Sequence, residues 1–373
     1  MPDRFTEVTT KSWGSRVMSS FMGVVIGFVM FIVSFGVLYW NEGRVDMSKI
    51  AEKATEITST TVAPVTSDKQ LISSTGVLKS EEKIGDNYLK EGDYISIKRN
   101  VEMYAWEEEK KDKTKTNVGG SETTETTYTY KKEWTSSPED SADFRISEGH
   151  TNPPMALDEN TVSVKNAELG IYSVDMSQVK LPEYRDIKLN NDNVVLADDL
   201  KLANEQYLFK GTGTIGSPVI GDTRVSYSVI QNPLDNATIF GKLDLANKVI
   251  TPFYGEKNSE LYRIFEGSRD TAISTMKTEY TMWLWIFRGI GFVLMWLGLM
   301  SLFGPISVFL DVLPILGSIG RAGVAFITFF VSLVLSVVTI LVSMVIHNLI
   351  ALVIVILALI AGAIWYLKSK RNK

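Results

Sequence analysis

The chain contains no cysteine and only two histidines in 373 residues. The first absence excludes disulfides, thiolate metal sites and a cysteine nucleophile. The second leaves too few nitrogen ligands for a zinc site built without thiolates. No P-loop, His-Glu-x-x-His pair or Gly-x-Ser-x-Gly elbow occurs in the sequence, so the familiar catalytic and cofactor-binding signatures are missing as well. We therefore expect a non-enzymatic protein with no catalytic residue, no cofactor and no metal. Lack of cysteine also favours a bacterial source over a eukaryotic secretory one.

Apolar sequence is what the chain has in abundance. Residues 17–40, 282–303, 322–346 and 349–367 are each long and apolar enough to cross a hydrocarbon core of about 30 Å. The first run is too long for a secretory signal, and Leu38-Tyr39-Trp40-Asn41 offers no small-residue cleavage site, so it reads as an uncleaved anchor. Residues 304–321 hold Pro305, Pro314, Gly317 and Gly320 around Asp311; such a broken segment is expected to be interfacial or re-entrant. Only His347-Asn348 separates the last two runs. One helix through both would be more than twice the hydrocarbon thickness, so 347–348 is expected to be a tight outer turn.

Basic residues set the expected orientation. Lys368, Lys370, Arg371 and Lys373 follow the last run, and Lys11 and Arg16 precede the first. Both termini are then cytoplasmic: residues 1–16 form a short, frayed tail, 368–373 a basic one, and 41–281 lie outside the cytoplasm. Acids outnumber bases within 41–281 while the flanking sequence is basic, which argues against a nucleic-acid partner.

Inside 41–281 the period changes to two. Ile95, Ile97, Val101, Met103 and Ala105 alternate with polar residues, the pattern of a half-buried strand. Residues 107–127 are rich in Glu, Lys and Thr around Asn117-Val118-Gly119-Gly120 and read as a long, solvated hairpin arm. Further strands are expected at 161–164, 207–210, 223–230, 237–242 and 248–253, and helices after Met47, at 196–206 and at 259–277. The expected fold class is an α+β membrane protein with four transmembrane helices and a large, mainly antiparallel β extracytoplasmic domain.

Two runs of small residues stand out. Ser19, Gly23 and Gly27 form a small-xxx-small ladder suited to self-association or to packing against the chain's own spans. Thr328, Ser332, Ser336, Thr339 and Ser343 share one helical face and are expected at a helix–helix contact. The alternative is a channel or transport component whose pore that stripe lines, with Asp311 and Arg321 near its cytoplasmic end. Arg288 is expected to snorkel toward the surface, and His150, beside Glu148, to be an ordinary loop histidine. An enzyme would need His150 joined to a distant acid such as Asp222. Asn236-Ala237-Thr238 is a glycosylation acceptor by pattern, meaningful only in a eukaryotic protein.

One amino-terminal span ends in Asn41-Glu42-Gly43-Arg44, and a large domain and three carboxy-terminal spans follow. The large domain holds Val101-Glu102-Met103-Tyr104-Ala105-Trp106, Tyr128-Thr129-Tyr130 with Glu133-Trp134, and Gly149-His150-Thr151-Asn152-Pro153. Gly221-Asp222-Thr223-Arg224-Val225-Ser226-Tyr227 and Met276-Lys277-Thr278 follow. In this layout and in these segments the chain resembles the transmembrane protein 43 (LUMA) family. The resemblance implies a non-enzymatic, self-associating scaffold that organises membrane complexes. In eukaryotic relatives it implies the endoplasmic reticulum or inner nuclear membrane, with emerin and lamins as partners; in a bacterium the cytoplasmic membrane is the counterpart. A very short amino-terminal tail leaves little for a nuclear partner to grip, so lamin and emerin are not expected for this chain. Expected partners are the lipid bilayer, further copies of the chain and other membrane proteins.

Overall fold

The computed structural model describes residues 3–361 other than 198, 313, 349, 351, 355–356 and 358–359. The expected fourth span, 349–367, lies largely outside the described residues, and the tail 368–373 wholly so. Five helices are present among the described elements: α1 (Trp13–Glu42), α2 (Met47–Glu52), α3 (Arg269–Leu302), α4 (Gly304–Leu310) and α5 (Pro314–His347). The chain divides into a β-rich unit, drawn from residues 3–6, Asp46–Lys111 and Thr127–Thr278, and a helical unit. The helical unit is drawn from Glu7–Val45, Asp112–Thr126 and the described residues from Glu279 onward.

In the β-rich unit the period-two sequence forms strand Tyr94–Thr116, whose Ile95, Ile97, Val101, Met103 and Ala105 are buried on one face. It belongs to an eight-stranded sheet ordered Arg4–Lys11, Glu122–Thr135, Tyr94–Thr116, Thr223–Gln231, Tyr207–Lys210 and Lys201–Ala203. Strands Asn160–Ser163 and Arg185–Asp186 pair off that path.

A second sheet runs Arg263–Glu266, Leu234–Asp244, Val249–Thr251, Tyr172–Asp175, Asn166–Leu169, Leu71–Lys79 and Thr55–Thr58. Because Leu234–Asp244 also pairs antiparallel with Leu71–Lys79, five of these strands close into a ring. Closure removes the open edges that would invite aggregation. Ile72, Leu78, Leu169, Tyr172, Ile239 and Ile250 belong to the core that fills it, each worth about 1.5–3 kcal/mol when fully buried. Most pairings in the unit are antiparallel; Thr55–Thr58 with Leu71–Lys79 and Tyr172–Asp175 with Val249–Thr251 are parallel.

Three local expectations are corrected. Residues 196–206 are not a helix: Lys201–Ala203 is a strand, and Asp199, Asn204 and Glu205 have positive φ, which a right-handed helix cannot contain. Residues 259–277 are helical only from Arg269, because Glu260–Leu261 and Arg263–Glu266 are strands. Gly267, at φ 109°, turns the chain, and the Ser268 hydroxyl accepts a hydrogen bond from the Thr271 amide at the start of α3. The amino-terminal residues are not frayed, since Arg4–Lys11 pairs with Glu122–Thr135.

In the helical unit α1 packs on α4 and α5, and α4 on α5. α1 and the unit's part of α3 run antiparallel, with Leu38 against Gly291 and Gly27 against Gly298. Three described helical stretches are long and apolar enough to cross a membrane: Trp13–Glu52, Arg269–Leu302 and Ser318–His347. The break after the second span is confined to the surroundings of α4, and α5 already starts at Pro314, ahead of the expected 322.

Candidate functional site

Asn41-Glu42-Gly43-Arg44 ends α1, and each residue has a specific partner within the helical unit. Asn41 is buried and its amide donates to the Leu284 carbonyl (3.0 Å). The Arg288 guanidinium donates to both carboxylate oxygens of Glu42 at 2.8 and 2.9 Å. Their side chains are only 14% and 4% exposed. Arg288 therefore does not snorkel; it forms a bidentate, charge-assisted pair. A Cβ at Gly43 would overlap the His347 ring, which also lies 4.5 Å from the Tyr39 ring. The Arg44 guanidinium rests over Trp40, Tyr280 and Phe287 at 5.4–5.9 Å, within cation–π range. The motif thus ties α1 to α3 and to the end of α5.

A second charged cluster marks the opposite end of α1. Arg16 pairs with Asp311 (2.6 Å) and Glu122 (3.1 Å), and Arg321 also donates to Asp311. Asp311, just after α4, is fully buried. Asp311 and Arg321 are therefore engaged with each other and with α1.

Between these ends lies the hydroxyl stripe. Thr328, Ser332, Ser336 and Ser343 are buried and Thr339 half-buried. Thr328 and Thr339 donate to carbonyls of their own helix, Val324 and Leu335, both at 2.7 Å, a usual habit of hydroxyls in apolar helices. Ser336 reaches the Met295 sulfur of α3 at 3.4 Å, while the buried Ser332 hydroxyl has no hydrogen-bond partner among the described residues. The ladder on α1 divides. Gly27 is closed by α3, where a Cβ would come within 2.8 Å of the Gly298 carbonyl; a Cβ at Gly23 would meet nothing within 4 Å among the described residues, and Ser19 is exposed.

In the β-rich unit four family-like islands converge. The Asn152 side chain accepts from the Trp106 amide (2.7 Å) and donates to the Trp106 carbonyl (2.9 Å), as a neighbouring strand would. Gly221 donates to the Tyr104 carbonyl and Tyr104 to that of Asp222. Gly221, at φ 92°, also lies so close to Pro153 that a Cβ would meet its ring at 2.8 Å. Gly149, at φ 85°, precedes His150, which is buried against Tyr130 (3.9 Å, stacked) and Trp106 (4.7 Å, edge-on). Met103 is buried on the same strand as Trp106.

His150 has an acidic neighbour, but a different one from that the sequence suggested: its Nε2 lies 3.5 Å from Asp3. Asp222 instead accepts from the amides of Thr212 (2.9 Å), Gly213 (3.1 Å) and Val219 (2.7 Å) and so shapes its own loop. Burial and a hydrogen bond to Glu108 push the Tyr130 phenol up to about 12. Arg224 pairs with Glu102 (2.7 Å) and stacks between Trp134 and Tyr207. A cleft of about 390 Å³ beside this junction is lined by Glu139, Asn152 and Pro153 among others.

One cluster escaped the sequence reading. Arg99 lies in phase with the apolar face of its strand and pairs with Asp86 at 2.6 Å. Tyr227 and Asn160 donate to the same carboxylate, and Arg99 to the Asp158 carbonyl. Burial pushes the Asp86 carboxyl up, but hydrogen bonds from Tyr227 and Asn160 and the Arg99 charge outweigh it and hold it below the ordinary carboxylate value.

Long apolar helices with mutually satisfied charges at their ends, joined to a mostly antiparallel β unit, define an integral membrane protein of α+β class. The sequence profile of Transmembrane protein 43 matches residues 103–349, and the chain belongs to that family. It is 24% identical to Transmembrane protein 43 of Pongo abelii over 88% of this chain and 83% of the relative. It is 23% identical to the Rattus norvegicus protein over 85% and 82%. A Transmembrane protein 43 homolog of Drosophila melanogaster is 25% identical over 71% and 75%. These relatives are animal proteins and lend nothing to a bacterial origin. No solved structure matches the chain.

Proposed function

We propose that the protein is a non-enzymatic, self-associating membrane scaffold whose β unit presents a recognition surface to membrane-protein partners or lipid headgroups. One observation carries the reading. Of the α1 ladder, Gly27 is closed by the chain's own α3, whereas Gly23, beside the exposed Ser19, faces open space among the described residues. Small residues left open on an apolar helix suit close approach of a second helix. Chemical crosslinking and light scattering of the detergent-solubilised protein test this. An oligomer that dissociates in Gly23→Leu supports it, and a monomer at every concentration overturns it.

The second reading, a channel or transport component, draws on the Ser332 hydroxyl, buried in the middle of the stripe without a partner among the described residues. Ion flux in reconstituted bilayers that disappears when Ser336 and Thr339 become Val would favour it over the scaffold.

A further inference from the structure

Building on the bilayer reading of α1 and α3, and independently of self-association, we infer that the crevice between the end of α1 and the start of the second apolar run is a phospholipid site, in which Arg44 holds the lipid's phosphodiester. Arg44 follows the run 17–40 by four residues, and Tyr280 precedes the run 282–303 by two. No apolar run separates them, so both lie on the face of the bilayer that holds 41–281. Their depth is that of the headgroups. Trp40 is 55% and Trp285 64% exposed at this level, and Tyr39 and Trp283 are exposed beside them, as the side chains of an interfacial aromatic belt are.

The Arg44 guanidinium is held by its face and left open along its edge. Trp40, Tyr280 and Phe287 lie 5.7, 5.9 and 5.4 Å from it, and Trp40 and Phe287 are themselves packed edge to face at 5.3 Å. Of the five N–H donors of an arginine, only one Nη1 donor is given an acceptor among the described residues, Asn41 Oδ1 at 3.5 Å. No carboxylate among the described residues pairs with Arg44. Glu42, two positions away, gives both of its oxygens to Arg288.

A positive charge with an open donor edge at headgroup depth calls for an anion. A phosphodiester carries one negative charge, and its two free oxygens match the guanidinium fork. Because the three rings already order the side chain, the lipid meets a preorganised donor set. The same rings decide against recognition of the rest of the headgroup. A choline cage needs open aromatic faces, but Trp40 turns its face to Arg44 and Trp285 to Arg288, at 4.8 Å. Phosphate is therefore what the crevice reads, and phosphatidylcholine and phosphatidylglycerol should be held alike.

Native mass spectrometry of the full-length protein in detergent tests this, with phosphatidylcholine, phosphatidylglycerol and a phosphate-free galactosyl diacylglycerol as probes. One molecule of either phospholipid should be retained above the rest. Arg44→Gln should weaken that retention about tenfold, the worth of a hydrogen bond to a charged group. Arg44→Lys, which keeps the charge and loses the fork, should weaken it about threefold. Lys188→Gln, which removes an exposed charge from the β-rich unit, should leave it unchanged; a loss equal to that of Arg44→Gln overturns the inference. Equal retention by the wild type and Arg44→Gln overturns it as well, and so does a galactolipid held as tightly as a phospholipid. Displacement of the lipid by inorganic phosphate assigns the crevice to a soluble anion and overturns the lipid. Should Arg44→Gln fold poorly, Arg44→Lys and the galactolipid carry the test. Release of the chain from membranes by alkaline carbonate overturns the bilayer reading, and the site with it.

Discussion

Each of the two units buries an ion pair, but they solve the desolvation problem differently. In the β-rich unit Asp86 is served by Arg99, Tyr227 and Asn160 together. In the helical unit Glu42 and Arg288 bind each other bidentately, in a side-by-side geometry across α1 and α3. The first is a network in which one lost member leaves others in place. The second is a pair in which removal of either partner leaves a charge with little to replace it. Buried charge is tolerated in both, but Asp86, like Asp311 in the helical unit, shares that tolerance among neighbours, whereas Glu42 and Arg288 depend on each other.

The largest effect should come from breaking the helical pair. Glu42→Ala or Arg288→Ala is expected to cost about 3–5 kcal/mol, whereas Glu42→Leu combined with Arg288→Met should recover most of it. Thermal unfolding in detergent reads both; equal damage in the single and double variants would end the comparison. Removing one member of the β network, Tyr227→Phe, should cost less, about 1–3 kcal/mol. A loss as large as that of Arg288→Ala would show that the network shares nothing. Gly27→Leu should destabilise by a similar 1–3 kcal/mol or so, through overlap with Gly298.

Acid and base separate the units further. Because the folded Asp86 pKa lies below its unfolded value, near 3.9, its contribution is present above that value and is lost as pH falls through the folded pKa. The β unit should therefore weaken below about pH 4, and less so in Asp86→Asn relative to its own neutral-pH stability. Tyr130 has the opposite sign: its raised pKa gives stability that is present below about pH 10 and lost as pH climbs toward about 12. Tyr130→Phe should flatten that alkaline limb in denaturant titrations. The smallest effect belongs to Gly23→Ala, which meets nothing within 4 Å among the described residues and should leave the melting temperature unchanged. A large loss there would place Gly23 inside a contact within the chain, as Gly27 is, rather than at an approach open to a second copy.

What the sequence made legible was local. The alternation through Ala105, the hairpin around Asn117–Gly120 and the hydroxyl periodicity of α5 each follow from spacing within a few residues, and each is found in the structure. The closed ring was not legible, because pairing of Leu71–Lys79 with Leu234–Asp244 leaves no trace in either strand alone. Helix was wrongly expected at 196–206 because apolar spacing does not report the left-handed residues Asp199, Asn204 and Glu205. Arg99 did carry a signal, since a charge in phase with a buried face requires an acid in the core beside it. The motif islands were recognised singly, but the pinning of Trp106 by Asn152 and the fit of Gly221 to Pro153 are properties of their meeting.

The Glu42–Arg288 pair also sets a clock. Its members are 246 residues apart in the chain, which at about 5–20 residues per second of synthesis is roughly 10–50 s. Throughout that interval α1 carries a carboxylate whose partner has not been made. The first helix can enter the bilayer early, but its carboxy-terminal end is completed only when α3 arrives. Quality-control factors that sense unpaired charge in nascent membrane helices would therefore have their longest opportunity between the first and second apolar segments, and truncation anywhere in the β unit should leave α1 in that exposed state.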